Sequence, residues 1–469
     1  MFPPEFINDL RDSVGAERAD RLLAALSAEP EVSVRVNPDK LSLTALREHF
    51  GALAGDPVPW AADEAFYLTE RPSFTLDPLF HAGAYYVQEA SSMYVGVFFD
   101  RAAAALMDVP GSAAGRTSGL RVLDLCAAPG GKTTQLLSHL DDTSLLVANE
   151  VAPSRATILA ENVARWGRSN VAVTQSDPAA FGALRGFFDI AVVDAPCSGE
   201  GMFRKDERAV AEWSPANVQL CAARQRRIMA DFWPSLASGG FLIYSTCTFN
   251  RQEDEDNVDW ICRELGAECL DQRHFYPGED RGEGFFAALL RKSGPGPWPQ
   301  NGCEDTQRHF MAAKQRSKPD SGTQDGYKIV ESHSVAMLKQ MTRPLAAVLP
   351  QLEKSLRVIA SGTAVATRKG HDLVPEADYA LAVERVPLEG LSYEIVEVSR
   401  EDALKFLSKE SLVLPEAPRG YLLLTYQGLG LGFVKNLGNR TNSLLPNRRR
   451  ILKIPGQARN DEMIARNDG

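Results

Sequence analysis

Short apolar runs alternate with longer amphipathic stretches from Leu120 onward, the pattern of a parallel sheet covered by helices on both faces. The runs Arg121–Leu125, Leu145–Asn149, Val171–Thr174, Ile190–Asp194 and Gly240–Thr246 read as strands, with further candidates near Glu268–Asp271 and Phe285–Arg291. Helices are expected between them at Thr133–Leu140, Ser154–Trp166, Pro215–Ser235 and Asp254–Leu265. Residues 116–292 should therefore form a doubly wound α/β domain of Rossmann-like type.

The flanks differ in pattern. Residues 1–115 mix helical and extended pieces, with Ile7 to Leu26 reading as an amphipathic helix and Val32–Val36 as an alternating strand. Pro110 to Gly119 is rich in small residues and reads as a loop or linker. A polar, Gly/Pro-rich stretch over 293–326 should link to a small α/β piece at 327–392. Beyond it, 393–455 looks β-rich, with Tyr421–Tyr426 and Gly432–Lys435 as paired strands, and 456–469 is expected to be disordered. No internal repeat is visible.

Composition narrows the class. At 469 residues, with 44% hydrophobic and 24% charged residues, the chain is an ordinary folded protein of several domains. Nothing approaches the run of about 20 apolar residues that spans a bilayer, and the N-terminus lacks the pattern of a signal peptide. Seven cysteines without a CxxC pair argue against a disulfide framework or a zinc site. A cytoplasmic, monomeric protein with no membrane or metal partner is expected. Its net charge of −10 disfavours nucleic acid at first sight. The total hides an asymmetry, because Ala417 to Asn460 contains no acid but holds Arg419, Lys435, Arg440, Arg448, Arg449, Arg450, Lys453 and Arg459. Such a module could contact phosphates.

Two thiols carry the candidate chemistry. Cys197 follows Asp194-Ala195-Pro196, Cys247 follows Ser245-Thr246, and each comes just after a predicted strand. Ligands and chemistry gather at the carboxyl edge of such sheets, so the pair suggests a nucleophile and an assisting acid or base. A third strand leads into Cys126-Ala127-Ala128-Pro129-Gly130-Gly131-Lys132, which opens a helix whose N-terminus offers free N–H groups. Gly131-Lys132-Thr133 matches the end of a P-loop. Against that reading, the first P-loop glycine should stand where Cys126 is, and Pro129 lacks an N–H donor. Glu150, about 20 residues beyond the glycines, has the spacing of a ribose-binding carboxylate. Asp177 follows the next strand and could receive an adenine. An adenosyl nucleoside without phosphates fits these strand tips. Helix capping is the alternative role for Glu150 and Asp177.

With these pieces in place, the chain resembles the RNA cytosine-5 methyltransferases of the Nol/Nop/Sun family. The likeness rests on Asp124 to Lys132, Asn149-Glu150, Asp194 to Gly201 and Tyr244 to Thr248, in that order and spacing. Upstream, Arg35-Val36-Asn37-Pro38 and Tyr86 to Met93 look like the family's N-terminal segment. The C-terminal third, with Gly428 to Gly432 and Arg448-Arg449-Arg450, resembles the PUA-like RNA-binding tail of a bacterial subgroup acting on small-subunit ribosomal RNA.

The resemblance implies S-adenosylmethionine as cofactor and methyl transfer to carbon 5 of an RNA cytosine through a covalent adduct at carbon 6. It implies Cys247 as nucleophile, Cys197 as the group assisting release, and Asp194 as a hydrogen-bond partner of the cytosine that also borders the cofactor. Lys132 would bind the base or lower a thiol pKa. Residues Cys126 to Lys132 would wrap the methionine end, Glu150 with Arg155 the ribose, and Asp177 the adenine. The basic tail and the N-terminal segment are the candidate holders of flanking RNA. Transfer RNA as substrate, or a non-catalytic RNA-binding assembly factor, are the alternatives.

Overall fold

A computed structural model describes residues 2–107, 119–294, 327–331 and 336–452. The expected loop at 110–119 (save Gly119), nearly all of the expected linker at 293–326 and the expected tail at 456–469 lie outside the described residues.

Eight strands form the central sheet, in the order Ala267–Phe275, Phe285–Lys292, Leu236–Thr246, Phe188–Asp194, Arg121–Asp124, Leu145–Asn149, Val171–Thr174, Val358–Ser361. The middle five are parallel. Successive residues of these strands alternate between two cores: Val122, Ile190, Val192 and Ile243 face one side, Leu123, Ala191, Val193 and Leu242 the other. Burial on both faces explains why these strands read as continuous apolar runs.

The sheet is mixed rather than purely parallel. Phe285–Lys292 runs antiparallel to Leu236–Thr246 and forms a hairpin with Ala267–Phe275. At the opposite edge Val358–Ser361 adds antiparallel to Val171–Thr174. That strand comes from the stretch after residue 327, so the sheet does not end with residue 292. The helix Arg343–Ser355 also contributes Leu345, Leu349 and Leu352 to the core beneath the sheet.

The expected helix from Ile7 to Leu26 is two helices, Pro4–Val14 and Ala16–Ala25, broken at Gly15 with φ of 84°. A positive φ is costly for residues with a Cβ, and Gly15 accepts it where the chain turns. Phe6, Leu10, Ala19 and Leu22 from this pair pack on Phe203, Trp213 and Phe249, beside the segments that carry Cys197 and Cys247. A four-stranded antiparallel sheet that includes Val32–Val36 completes the N-terminal part.

Near the C-terminus Gly420–Tyr426 and Leu429–Asn436 pair antiparallel, as their pattern predicts, in a sheet completed by Glu394–Glu397 and Thr441–Ser443. No helix among the described residues is long and apolar enough to cross a membrane.

Candidate active site

The carboxyl ends of the parallel strands bring the two thiols together. Phe188–Asp194 and Leu236–Thr246 are neighbours in register, with Asp194 opposite Ser245. The chain leaves both at the same edge, so Cys197 Sγ and Cys247 Sγ stand 3.0 Å apart. The Cys247 N–H also points at Cys197 Sγ, 3.4 Å away. Its hydrogen bond with the Cys247 sulfur, then burial, then the charges of Cys247 and Glu253 push the Cys197 thiol well above its ordinary range.

Lys132 and Asp194 form the next layer. Lys132 lies in the first turn of the helix Gly131–His139, and its Nζ is 2.8 Å from Asp194 Oδ2. Ser245 Oγ donates to the other Asp194 oxygen at 2.7 Å. The Phe285 ring lies 5.0 Å from the ammonium. Burial lowers the Lys132 pKa, but Asp194, Asp124 and Cys247 outweigh it, so the group stays cationic.

The glycine loop approaches the same edge. Gly130 caps the helix at φ of 118°, and a Cβ there would lie 3.3 Å from Leu159. The loop's carbonyls are held from one helix, Pro153–Trp166: Arg155 Nη2 donates to Ala128 O at 2.8 Å and Asn162 Nδ2 to Pro129 O at 2.8 Å. Cys126 is a buried thiol with its pKa raised by burial first and then by Glu150, Asp124 and Asp194. Asp124, fully buried at the end of its strand, accepts from Thr133 Oγ1 at 2.6 Å, while its Oδ1 has no hydrogen-bond partner. An orphaned acceptor beside a glycine loop suits a cationic amino group such as the methionine end of S-adenosylmethionine.

Glu150 and Asp177 show the capping roles that compete with ligand binding. Glu150 Oε1 accepts from the Ala152 N–H at 2.9 Å, and its Oε2 is 3.6 Å from Arg155. Asp177 Oδ1 accepts from the Ala179 N–H at 3.0 Å, and Oδ2 lies 3.8 Å from Arg227. Each carboxylate spends one oxygen on its own loop and turns the other to an arginine.

Beneath the thiols is a polar lattice that sequence reasoning did not anticipate. Glu200, completely buried, accepts from Thr248 Oγ1, the Phe249 N–H, Asn250 Nδ2 and Trp213 Nε1, at 2.6, 2.7, 3.1 and 2.9 Å. Glu253 accepts from the Ser198 N–H, Gln225 Nε2 and Asn250 Nδ2 at 3.0, 2.7 and 2.7 Å. Glu200 lies within the Asp194 to Gly201 motif, whereas Glu253 joins its partners only through the fold. His274, which had no partner in the sequence, bonds Glu255 across 3.0 Å and stacks on Tyr276.

Part of both segments expected to hold RNA is engaged within the protein, while Arg448 and Arg450 stay exposed. Arg35 is fully buried, donates to Gln88 Oε1, Gly131 O and Thr134 Oγ1, and lies over Trp166. Asn37 bonds the Trp166 carbonyl at 2.9 Å. In the C-terminal cluster Arg448 and Arg449 pair with Glu161, Arg449 also pairs with Asp378, and Arg450 Nε donates to Ser408 O at 3.1 Å. Arg419, Lys435 and Arg440 remain exposed. The helix Pro153–Trp166 thus touches the glycine loop, the N-terminal segment and the C-terminal module at once.

Comparison with known proteins agrees with this architecture. Residues 115–291 match the family described as 16S rRNA methyltransferase RsmB/F, 2–90 the N-terminal domain of 16S rRNA methyltransferase RsmF, and 393–451 the methyltransferase RsmF PUA domain. Ribosomal RNA small subunit methyltransferase F of Pectobacterium atrosepticum is 32% identical over 95% of each chain. The protein of that name from Cronobacter sakazakii is 31% identical over 95% of each. Among solved structures, a methyltransferase homolog from Pyrococcus horikoshii covers 62% of this chain and 95% of its own, at 29% identity and TM-score 0.52. NSun6 from Pyrococcus horikoshii shares the fold at 20% identity and TM-score 0.53, covering 63% and 99%. With a relative of more than 30% identity along nearly its whole length, this chain belongs to the RsmB/F family of S-adenosylmethionine-dependent RNA methyltransferases.

Proposed function

We propose that this protein methylates carbon 5 of a cytosine in small-subunit ribosomal RNA, with Cys247 as nucleophile and Cys197 assisting release. The observation that carries the reading is the thiol pair at 3.0 Å beside the Lys132–Asp194 ion pair. The RNA assignment draws on the names of the relatives and on the C-terminal PUA match.

Carbon 5 of cytosine is a poor nucleophile. Addition of the Cys247 sulfur to carbon 6, with its thiol proton passing to N3 of the ring, makes the ring an enamine whose carbon 5 can attack an electrophilic methyl group. S-adenosylmethionine supplies that methyl as a sulfonium substituent. Asp194, held by Lys132 and Ser245, hydrogen-bonds the N3 and amino edge of the base in the adduct. A base then removes the proton from carbon 5, the electron pair reforms the 5,6 double bond, and the Cys247–C6 bond breaks.

Cys197 suits the proton step. Before the adduct forms, its hydrogen bond with Cys247 is the leading cause of its raised pKa. Once the Cys247 sulfur is bonded to carbon 6, that hydrogen bond and that charge are gone, so the Cys197 thiolate becomes easier to form at the stage when a base is required.

Cofactor contacts follow from the loop: Cys126, Ala127, Ala128, Pro129, Gly130 and Gly131 around the methionine end with Asp124 on its amino group, Glu150 and Arg155 at the ribose, Asp177 at the adenine. The target base must leave any stack to reach the thiols, so a loop or an extruded nucleotide is the expected substrate.

The test uses Cys197→Ala protein, S-adenosylmethionine and small ribosomal subunits or total small RNA. A denaturant-resistant protein–RNA adduct that disappears when Cys247 is also changed to Ala supports the reading, and sequencing the trapped RNA identifies the cytosine. An adduct on transfer RNA would move the substrate. Neither adduct nor methylation in any fraction would favour an RNA-binding assembly factor.

A further inference from the structure

The two thiols sit on separate loops beyond the strand ends, and the strand register brings those loops to one edge without by itself holding the sulfurs together. What ties the loops is a reciprocal exchange of carboxylates. Glu200 comes from the loop after Cys197 and accepts from Thr248, Phe249 and Asn250, the residues just after Cys247. Glu253 comes from the segment after Cys247 and accepts from the Ser198 N–H, the residue just after Cys197. Each loop thus sends a carboxylate to grip the backbone of the other. Gly201 N–H donates to the Cys247 carbonyl at 2.8 Å and closes the link.

Both carboxylates are buried, and burial raises both pKa values. Every polar neighbour of Glu253 is a donor: the Ser198 N–H, Gln225 Nε2 and Asn250 Nδ2. Glu200 is likewise ringed by donors only. A buried carboxylate surrounded by N–H and O–H groups is satisfied at both oxygens, and an amide in its place would oppose donor to donor.

Resting on the two-thiol reading above, we infer that Glu253 and Glu200 are positioning residues that hold Cys197 against Cys247 for the release step. Glu253 is the sharper case, because its grip falls on the residue adjoining Cys197. If Cys197 drifts, sulfur addition by Cys247 and methyl transfer can still proceed, but proton removal from carbon 5 slows. Displacement of a reacting group by about 1 Å can cost on the order of 100-fold in rate.

The distinguishing experiment measures adduct accumulation rather than activity alone. Wild type, Cys197→Ala, Glu253→Gln and the exchange Gln225→Glu/Glu253→Gln are each incubated with S-adenosylmethionine and small ribosomal subunits from cells lacking the enzyme. Product and denaturant-resistant adduct are followed together. In Glu253→Gln we expect product release about 10- to 100-fold slower, with adduct accumulating as in Cys197→Ala. The exchange variant returns the hydrogen bond between positions 225 and 253 with donor and acceptor reversed but loses the Gln225 Nε2 donation to Pro196 O at 3.1 Å, so it should restore release in part. A purely structural loss would lower adduct and product together and would not be rescued.

Trapping by Cys197→Ala together with wild-type turnover and no adduct in Glu253→Gln overturns the positioning role and leaves the two-thiol reading intact. Absence of adduct in Cys197→Ala, with wild type active, overturns the two-thiol reading and the inference with it.

Discussion

The Lys132 ammonium and the Asp194 carboxylate, 2.8 Å apart, bridge two neighbouring strands of the sheet, one leading into the glycine loop and the other into the Cys197 loop. The glycine loop and the Asp194 carboxylate are therefore joined by one ion pair. Lys132→Met leaves Asp194 with only Ser245 as hydrogen-bond partner. We expect methyl transfer to fall by at least about 100-fold. Because Asp194 is a third exposed, the stability cost should be only about 1–2 kcal/mol. Turnover and denaturant unfolding of the same variant separate the two effects.

Asp124 makes a prediction about pH. Burial holds its carboxyl up at about 7, with Asp194 and Glu150 adding to the rise and Thr133 and Lys132 opposing it. In the unfolded chain it ionises near 3.8. Between those values the folded protein holds the extra proton, so this group's contribution to stability falls as pH rises and levels off above 7. The full span is on the order of 4 kcal/mol as an upper bound. Urea unfolding at intervals from pH 4 to 8 should show that slope, and Asp124→Asn should flatten it. Affinity for S-adenosylmethionine should move the other way, rising toward pH 7, since a cationic amino group favours the ionised carboxylate.

Gly201 packs against the Cys247 carbonyl. A Cβ there would come 2.8 Å from Gly284 O and 3.0 Å from Cys247 O, both backbone atoms that cannot swing aside. Gly201→Ala should cost about 1–3 kcal/mol and impair adduct formation itself, because it pushes on the Cys247 carbonyl. Denaturant midpoint and the yield of adduct in a Cys197→Ala background are the measurements.

The C-terminal arginines divide into two classes with different outcomes. Arg449 is almost completely buried between Glu161 and Asp378, so Arg449→Ala strands Asp378, leaves Glu161 with Arg448 alone, and should destabilise by about 2–3 kcal/mol. Arg419, Lys435 and Arg440 are exposed, so their replacement by Ala should leave the melting temperature unchanged. Each should instead reduce the salt slope of RNA binding by about one. A salt titration of RNA affinity beside a thermal melt sorts one class from the other.

Much of the sheet was legible because its strands are buried on both faces. Leu145–Asn149 and Val171–Thr174 agree with their apolar runs to the residue. The antiparallel edge strand Val358–Ser361 was not, since nothing local in a short, half-exposed segment says which sheet it will join. The motif residues converge on one edge because each ends a parallel strand, a consequence of topology that spacing alone conveys. What stayed hidden were the long-range satisfactions: Glu253 for Ser198, Ser245 for Asp194, Glu161 for Arg449. A basic run in a sequence looks the same whether its charges face solvent or neighbouring carboxylates. For that reason Arg448–Arg450 read as an RNA contact when much of it is a fastening.

That fastening has a geometric consequence. Glu161, which receives Arg448 and Arg449, shares its helix with Arg155 and Asn162, which hold the glycine loop, and with Trp166, over which Arg35 lies. The exposed basic hairpin and the thiol pair are therefore two marks on one stiff ruler. An RNA that touches both would be gauged by the span between its folded parts, so a nucleotide in the right local sequence would be refused when the rest of the molecule falls at the wrong distance.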